Sequence, residues 1–206
     1  MTEQLAGEAD ATRLERQIAF LIEIEKLKQV LRRTGPIGAG RRENSAEHSW
    51  HVAMAALVLA EYANEPIDVA RVVRMALVHD IIEIDAGDTF AYDAVGYLDK
   101  ADREKAAADR IFALLPPPQD AELRTLWDEF EACTTPEARF ANAMDRLLPV
   151  LQNYHNNGGT WVEANLNRAR VDTRLGPIAD GSAAIWDYVC AVLDDAMTQG
   201  MIRPNA

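Results

Sequence analysis

The segment of residues 77–89 carries the side chains that are best suited to chemistry. It begins as an apolar run and then presents His79, Asp80 and Glu83, before Gly87 leads into a loop that carries Asp88. Imidazoles and carboxylates bind divalent metals and transfer protons. Because unpaired buried charge is costly, polar groups placed directly after an apolar run indicate a functional site.

Two further parts of the chain could supply ligands to the same site. His48 and His51 are three residues apart and would share one face of a helix, although a histidine on an amphipathic helix is more often a packing or capping residue. Asp145 lies inside an apolar helical pattern, where it could form a salt bridge, for example with Arg139 or Arg146, or bind a metal. Considered together, two imidazoles and two carboxylates on three helices form a mixed nitrogen and oxygen set that suits a divalent metal. The predicted metal ligands are His48, His79, Asp80 and Asp145.

The elements that must position these residues are all predicted to be helices. Apolar residues recur at helical spacing, and no strand pattern of useful length occurs. Asn44 or Ser45 is predicted to cap the second helix, and Thr160 with Glu163 to form a capping box. The predicted helices cover residues 12–33, 45–63, 68 onwards through His79-Asp80, 99–115, 120–132, 136–154, 160–170 and 182–198.

Composition restricts the partners and the compartment. The 206 residues carry a formal net charge of −12, which disfavours nucleic-acid polymers and anionic membranes but allows a small phosphorylated ligand bound through a local cation. Two cysteines without a CxxC spacing, and no apolar N-terminal run, predict a reduced, cytoplasmic setting. No apolar stretch is long enough for a transmembrane helix. One domain over residues 1–206 is expected.

The ordered motifs resemble those of the HD-domain metal-dependent phosphohydrolases, and among them the 5'-deoxynucleotidase branch. The motifs are Glu47-His48-Ser49, His79-Asp80-x-x-Glu83, Gly87-Asp88 and Asp145. The resemblance covers roughly residues 14–155. It implies an all-α HD-domain bundle of about eight helices, with helices of residues 160–198 packed on the core. It also implies a homodimer and one divalent ion, whether manganese, cobalt, zinc or iron, held by the four predicted ligands.

The same resemblance implies roles for residues around the metal. Glu83 and Asp88 would be the catalytic or substrate-orienting acids, and Arg33 would lie on the phosphate side. Thr34 stands where one bacterial branch has a bulky tryptophan that helps to exclude the ribose 2'-hydroxyl. Arg41 is a further candidate for phosphate contact.

The implied reaction is removal of the 5'-phosphate from (deoxy)nucleoside 5'-monophosphates by metal-activated water. Two alternatives remain open at this point. One is an HD hydrolase of phosphodiesters or nucleoside polyphosphates, for which His51 and Asp85 could bind a second metal. The other is a non-catalytic, metal-containing nucleotide sensor. The presence of Glu83, Asp88 and Arg33 together favours an enzyme, since binding alone does not require all three.

Overall fold

A computed structural model describes the backbone of residues 2–205 and the side chains of residues 12–205. Within these residues the regular structure is helical, apart from two isolated β-bridges. Eight of the eleven α-helices have eight or more residues, so the predicted all-α fold of about eight helices is confirmed. The helices are Thr2–Ile24 (α1), Ser45–Leu59 (α2), Val69–Val78 (α3), Glu83–Ala86 (α4), Lys100–Phe112 (α5), Gln119–Ala132 (α6), Pro136–His155 (α7), Gly159–Glu163 (α8), Arg168–Leu175 (α9), Ile178–Gly181 (α10) and Ala183–Thr198 (α11), and 3-10 turns cover Glu25–Gln29 and Ala60–Tyr62.

The first helix ends earlier than the sequence pattern predicts. Helix α1 stops at Ile24, and a 3-10 turn follows. The backbone then pairs with residues 43–45 instead of continuing as a helix: Arg32 N donates to Glu43 O at 2.9 Å, and Glu43 N donates to Thr34 O at 2.9 Å. The prediction of a helix up to about Arg33 is therefore wrong, because these backbone groups have partners across a turn.

Helix α2 begins at Ser45 through a capping box. Asn44 Oδ1 accepts a hydrogen bond from Glu47 N at 2.9 Å, and Glu47 Oε1 accepts one from Asn44 N at 2.8 Å. Two backbone donors that have no partner within the helix are satisfied in this way. The box fixes the first turn of α2, and His48 follows directly after Glu47.

The His79-Asp80 pair lies beyond the end of α3, not inside a helix as predicted. Helix α3 is capped by Asp68 and ends at Val78. Residues 79–82 form a turn with shorter-range bonds, such as Glu83 N to Asp80 O at 3.0 Å, and Gly87 ends α4 with a φ of 73°. A tighter turn points successive side chains in directions that differ from those of an α-helix. Residues 79–82 are called the HD turn below.

The long helix α7 lies at the centre of the molecule. It starts at Pro136 after the cap Thr135, and it packs against α2, α3, α6, α10 and α11. Phe140, Met144 and Leu147 are among its buried side chains. The C-terminal helices α9, α10 and α11 belong to the same hydrophobic cluster as α2, α3 and α7. Trp127 and Trp161 are buried.

One predicted helix, residues 160–170, is instead two helices. Helix α8 ends at Glu163 and α9 begins at Arg168, because Asn165 has a φ of 51°, which an α-helix does not allow. The predicted capping box at Thr160 is also wrong. Thr160 N and Thr160 Oγ1 both donate to Asn153 Oδ1, at 2.8 and 3.0 Å.

Two hydrophobic clusters meet at the HD turn. Met75 and Ala76 of α3 belong to the cluster built around α7, whereas Val78 and Ile81 belong to a second cluster formed with α5. Packing on both sides holds the turn in place. Among the described residues, no helix is long and apolar enough to cross a bilayer.

Candidate metal centre

Three separate elements bring potential metal ligands together. His48 comes from the first turn of α2, His79 from the HD turn and Asp145 from the middle of α7. One ligand atom of each residue lies within 4.8 Å of the other two. His48 Nε2 is 2.9 Å from Asp145 Oδ1, and His79 Nε2 is 3.8 Å from the same oxygen.

The fourth predicted ligand, Asp80, lies at the edge of this cluster. Its Oδ1 is 3.1 Å from His79 Nε2, and its Oδ2 accepts a hydrogen bond from Arg32 Nη1 at 2.9 Å. One carboxylate oxygen therefore faces the ligand atoms, while an arginine holds the other.

The histidine nitrogens show that these residues fit a divalent cation. His79 Nδ1 lies 2.8 Å from Ala76 O, and because a carbonyl only accepts, Nδ1 is the donor. The buried Nε2 of His79 has no hydrogen-bond partner and faces the cluster. A buried polar atom without a partner requires an explanation, and a metal ion would provide it. The combination of imidazole and carboxylate suits a transition metal.

Burial and the neighbouring charges shift the pKa values of His79 and Asp145 in opposite directions. Burial would lower the pKa of His79, but the carboxylates of Asp80 and Asp145 raise the pKa of His79 to about 9. Burial would raise the pKa of Asp145, but His48 and His79 outweigh it and hold the pKa of that carboxyl well below its usual value. The two imidazoles thus stabilise the charged form of the Asp145 carboxylate.

The two predicted catalytic acids lie beside the cluster. Glu83 is 8% exposed, and its Oε2 accepts a hydrogen bond from Ser45 Oγ at 2.5 Å. Burial, reinforced by the Asp80 carboxylate, raises the pKa of Glu83 well above its usual value. Burial also raises the pKa of Asp88. Both acids line a cavity of about 180 Å³ that His79 and Asp80 also line; it is called the metal cavity below.

Sequence reasoning missed Arg32, which reaches the cluster. Its Nη1 lies 2.9 Å from Asp80 Oδ2 and 3.7 Å from Asp88 Oδ1, and its Nη2 lies 3.8 Å from Asp145 Oδ1. Arg32 points inwards while Arg33 does not, and this difference becomes visible only once residues 30–34 are known to pair with residues 43–45.

The three predicted substrate contacts line one cavity of about 420 Å³, but they differ in their other contacts. Arg33 is exposed, with its guanidinium 4.6 Å from the centre of the Phe90 ring. Thr34 has a buried hydroxyl without a hydrogen-bond partner. Both residues also line a cavity that adjoins the metal cavity and is called the outer cavity below. Arg41 lines neither the metal cavity nor the outer cavity, because its guanidinium donates to Glu47 Oε1 and Oε2 at 2.6 and 2.9 Å.

The candidate ligands for a second metal are not part of the cluster. Asp85 pairs with Arg110, whose Nη2 donates to Asp85 Oδ1 at 2.8 Å. His51 stacks against Trp50, with ring centres 6.0 Å apart. The structure places neither of them with His48, His79 and Asp145.

Comparison with known proteins identifies similar sequences. The HD-domain family profile matches residues 24–186. A 5'-deoxynucleotidase of Homo sapiens is 34% identical over 137 residues, which cover 66% of this chain and 65% of that protein. A 5'-deoxynucleotidase of Dictyostelium discoideum is 32% identical over 136 residues, covering 63% of this chain and 71% of that protein. The chain thus spans slightly less than two thirds of the length of its human relative.

Two solved structures are similar over more of the chain. The crystal structure of a predicted metal-dependent phosphohydrolase from Magnetospirillum magnetotacticum has 50% sequence identity and a TM-score of 0.89, and the match covers 93% of this chain and 96% of that one. A protein of Pyrococcus horikoshii has 26% identity and a TM-score of 0.62, with coverage of 88% and 99%.

Proposed function

The chain belongs to the HD-domain family, and from this membership we propose that it is a metal-dependent phosphohydrolase acting on (deoxy)nucleoside 5'-monophosphates. The observation that carries the proposal is the cluster of His48, His79 and Asp145, with Glu83 and Asp88 on the adjoining cavity wall. The relatives named 5'-deoxynucleotidases support this substrate class, and the similar predicted metal-dependent phosphohydrolase supports the type of reaction.

In this proposal the metal is held by His48, His79 and Asp145, with the nearer oxygen of Asp80 completing the set. A bound divalent ion supplies two effects, a lower pKa of a water molecule and a polarised phosphoryl oxygen. Manganese, cobalt, zinc and iron all suit these ligands.

Glu83 is proposed as the base. Ser45 Oγ holds one oxygen of its carboxylate, and the raised pKa brings proton uptake closer to neutral pH. As the water oxygen bonds to phosphorus, Glu83 takes the proton that the water loses. Asp88, a neighbouring carboxyl whose pKa is also raised, is suited to the opposite step, in which a proton is given to the leaving group.

Asp88 is proposed as the acid. Burial raises the pKa of Asp88 and favours its protonated form. When the bond between phosphorus and the 5'-oxygen breaks, Asp88 gives its proton to the leaving oxygen. The products are then inorganic phosphate and a neutral nucleoside.

Arg33 and Thr34 are proposed to contact the substrate from the outer cavity. Arg33 lies over Phe90 and has no carboxylate within ion-pair distance among the described residues, so its planar fork is free to meet phosphoryl oxygens. Thr34 is small, and its buried hydroxyl has no partner. We therefore expect ribonucleotides to be accepted as well as deoxyribonucleotides.

The proposed assembly is a cytoplasmic homodimer. The outer face of α2 exposes Trp50, Met54, Leu57 and Val58, an apolar surface that a second copy could cover. Cys133 and Cys190 are both free thiols, as a reducing compartment would allow.

The test is phosphate release from a panel of deoxy- and ribonucleoside 5'-monophosphates. The protein is stripped of metal and reloaded separately with manganese, cobalt or zinc. We expect release that depends on the added metal, with a deoxy to ribo ratio near one because of Thr34. Metal-loaded protein that releases no phosphate from any 5'-monophosphate would contradict the proposal.

A further inference from the structure

Two arginines face the metal centre without an acidic partner. Arg146 follows Asp145 on α7, and Arg174 lies in the last turn of α9. Both line the metal cavity and the outer cavity, so they lie where the two cavities meet. The motifs that indicated the metal site include neither residue.

The other cations of the metal cavity are matched by acids. Arg32 has Asp80, Asp88 and Asp145 within 4 Å. Lys100 Nζ lies 2.5 Å from Glu104 Oε1. Their charges are therefore already compensated within the protein, which leaves them little capacity for a further anion.

Arg146 and Arg174 are different. Arg146 Nη1 donates only to neutral acceptors, Asn142 O at 3.2 Å and Asn142 Oδ1 at 2.8 Å, and the buried Nε of Arg146 has no partner. Among the described residues, none forms a hydrogen bond or ion pair with Arg174. Arg146 and Arg174 are close enough for their charges to interact, and both line the same two cavities. Two neighbouring cations that repel each other are stabilised when an anion binds to both.

A phosphoryl group fits this position. The guanidinium fork matches two phosphate oxygens, and a phosphomonoester dianion offers the two charges that two arginines balance. A phosphodiester offers only one charge. In a chain of formal charge −12, two uncompensated arginines next to a metal centre also attract an anion locally against the overall field.

We propose that Arg146 and Arg174 form a phosphate-binding pair that holds the non-bridging oxygens of a phosphomonoester beside the metal centre. The identity of the substrate rests on the proposed function, but the affinity of the pair for inorganic phosphate does not.

The test is calorimetric titration of metal-loaded protein with inorganic phosphate. The variants are Arg146→Met and Arg174→Met, which keep the apolar length of the side chain and remove its charge. The matched control is Arg170→Met: Arg170 lies one turn earlier on α9, with its guanidinium 5.7 Å from the centre of the Tyr92 ring, and it lines neither the metal cavity nor the outer cavity. Losing a charge-assisted hydrogen bond should weaken phosphate binding about tenfold or more in each test variant, and leave the control unchanged.

Thermal unfolding and metal content establish that each variant is folded and loaded. If Arg146→Met does not fold, Arg174→Met tests the proposal by itself, because among the described residues Arg174 has no hydrogen bond or ion pair that the substitution would remove. Unchanged phosphate affinity in Arg174→Met, an equal loss in Arg170→Met, or no phosphate binding by the wild type would overturn the pair.

The two proposals fail separately. Phosphate binding that depends on Arg174, in a protein that hydrolyses no 5'-monophosphate, would support the pair and reject the nucleotidase activity. If the protein hydrolyses 5'-monophosphates but both test variants bind phosphate as tightly as the wild type, only the proposed phosphate-binding pair is rejected.

Discussion

The ring of His48 lies between two carboxylates. His48 Nε2 lies 2.9 Å from Asp145 Oδ1, and on the other side of the ring Nδ1 lies 3.2 Å from Glu43 Oε2. Glu43 is 3% exposed, and its Oε1 accepts a hydrogen bond from Gln152 Nε2 at 2.6 Å. His48 Nδ1 and Glu43 Oε2 are both buried, and in this geometry they form no hydrogen bond with each other. A carboxylate this close behind a ligand histidine would accept the Nδ1 proton once Nε2 binds a metal, and would then orient the ring.

Replacing Glu43 should therefore weaken metal binding. For Glu43→Leu we expect the affinity for cobalt to fall about 10- to 100-fold, the usual effect of losing such a supporting group. Titration of metal-free protein, followed by the visible absorbance of cobalt, measures the affinity directly. The control is Glu163→Gln at an exposed carboxylate. Equal affinities in Glu43→Leu and the wild type would show that His48 needs no such support.

Glu83 and Asp85 are neighbours on α4 with different environments. Glu83 is buried at the metal cavity, whereas Asp85 pairs with Arg110 at the surface. We expect Glu83→Gln to reduce turnover of 5'-monophosphates about 10²- to 10⁴-fold, because the amide cannot take a proton. Metal content should stay at the wild-type level in both Glu83→Gln and the control Asp85→Asn. Wild-type turnover in metal-loaded Glu83→Gln would rule out its role as the base.

At the scale of elements, three of the four proposed ligands, His48, His79 and Asp80, depend on the end of a helix or on a turn. The capping box of Asn44 and Glu47 sets the first turn of α2 and with it the direction of His48. The HD turn places His79 and Asp80 side by side, since its short-range hydrogen bonds replace those of an α-helix. Only Asp145 comes from the middle of a helix.

Removing the cap of α2 should affect both stability and metal binding. We expect Asn44→Ala to lower the free energy of unfolding by about 1 kcal/mol, the usual value for an N-cap. It should also weaken metal affinity, since His48 lies in the turn that loses its cap. Urea unfolding and cobalt titration measure the two effects.

The matched control for this prediction is Asn167→Ala. Asn167 caps α9 by accepting a hydrogen bond from Arg170 N at 3.1 Å, and α9 carries no metal ligand. A similar loss of stability with unchanged metal affinity is expected there. If both variants changed metal affinity equally, the effect would reflect general destabilisation and the link between the cap and His48 would be wrong.

At the scale of the whole molecule, the metal centre connects elements that are distant in sequence. His48, His79 and Asp145 belong to α2, the HD turn and α7, and the HD turn lies where two hydrophobic clusters meet. A ligand that binds only the folded protein stabilises it in proportion to its affinity and concentration. Metal should therefore contribute to global stability and not only to turnover.

Removing the metal should lower the melting temperature. At a free metal concentration about 100 times the Kd the stabilisation is about 2.7 kcal/mol, which corresponds to about 5–10 °C for a protein of this size. Differential scanning calorimetry of stripped and reloaded protein measures the shift, and Asp145→Asn, which replaces the charged carboxylate with a neutral amide, should show none. An unchanged melting temperature in protein that demonstrably holds metal would contradict this structural role.

Local sequence determined most of the helices, because their signals lie within a few residues. The caps Asn44 and Asp68 and the initial Pro136 all mark helix starts that the structure contains. Helix predictions were wrong where distant groups compete for the backbone. Residues 30–34 pair with residues 43–45, and Asn153 takes the hydrogen bonds of Thr160.

For the functional site too, some features follow from the sequence and others are decided only by the tertiary structure. The order of His48, His79-Asp80, Glu83 and Asp145 along the chain was sufficient to recognise the HD family, because residue types and spacing are properties of the sequence. The tertiary structure alone decided that Arg32 and not Arg33 reaches the acids, and that Arg146 and Arg174 have no acidic partner. Whether a charge is compensated depends on distances between elements, and packing sets those distances.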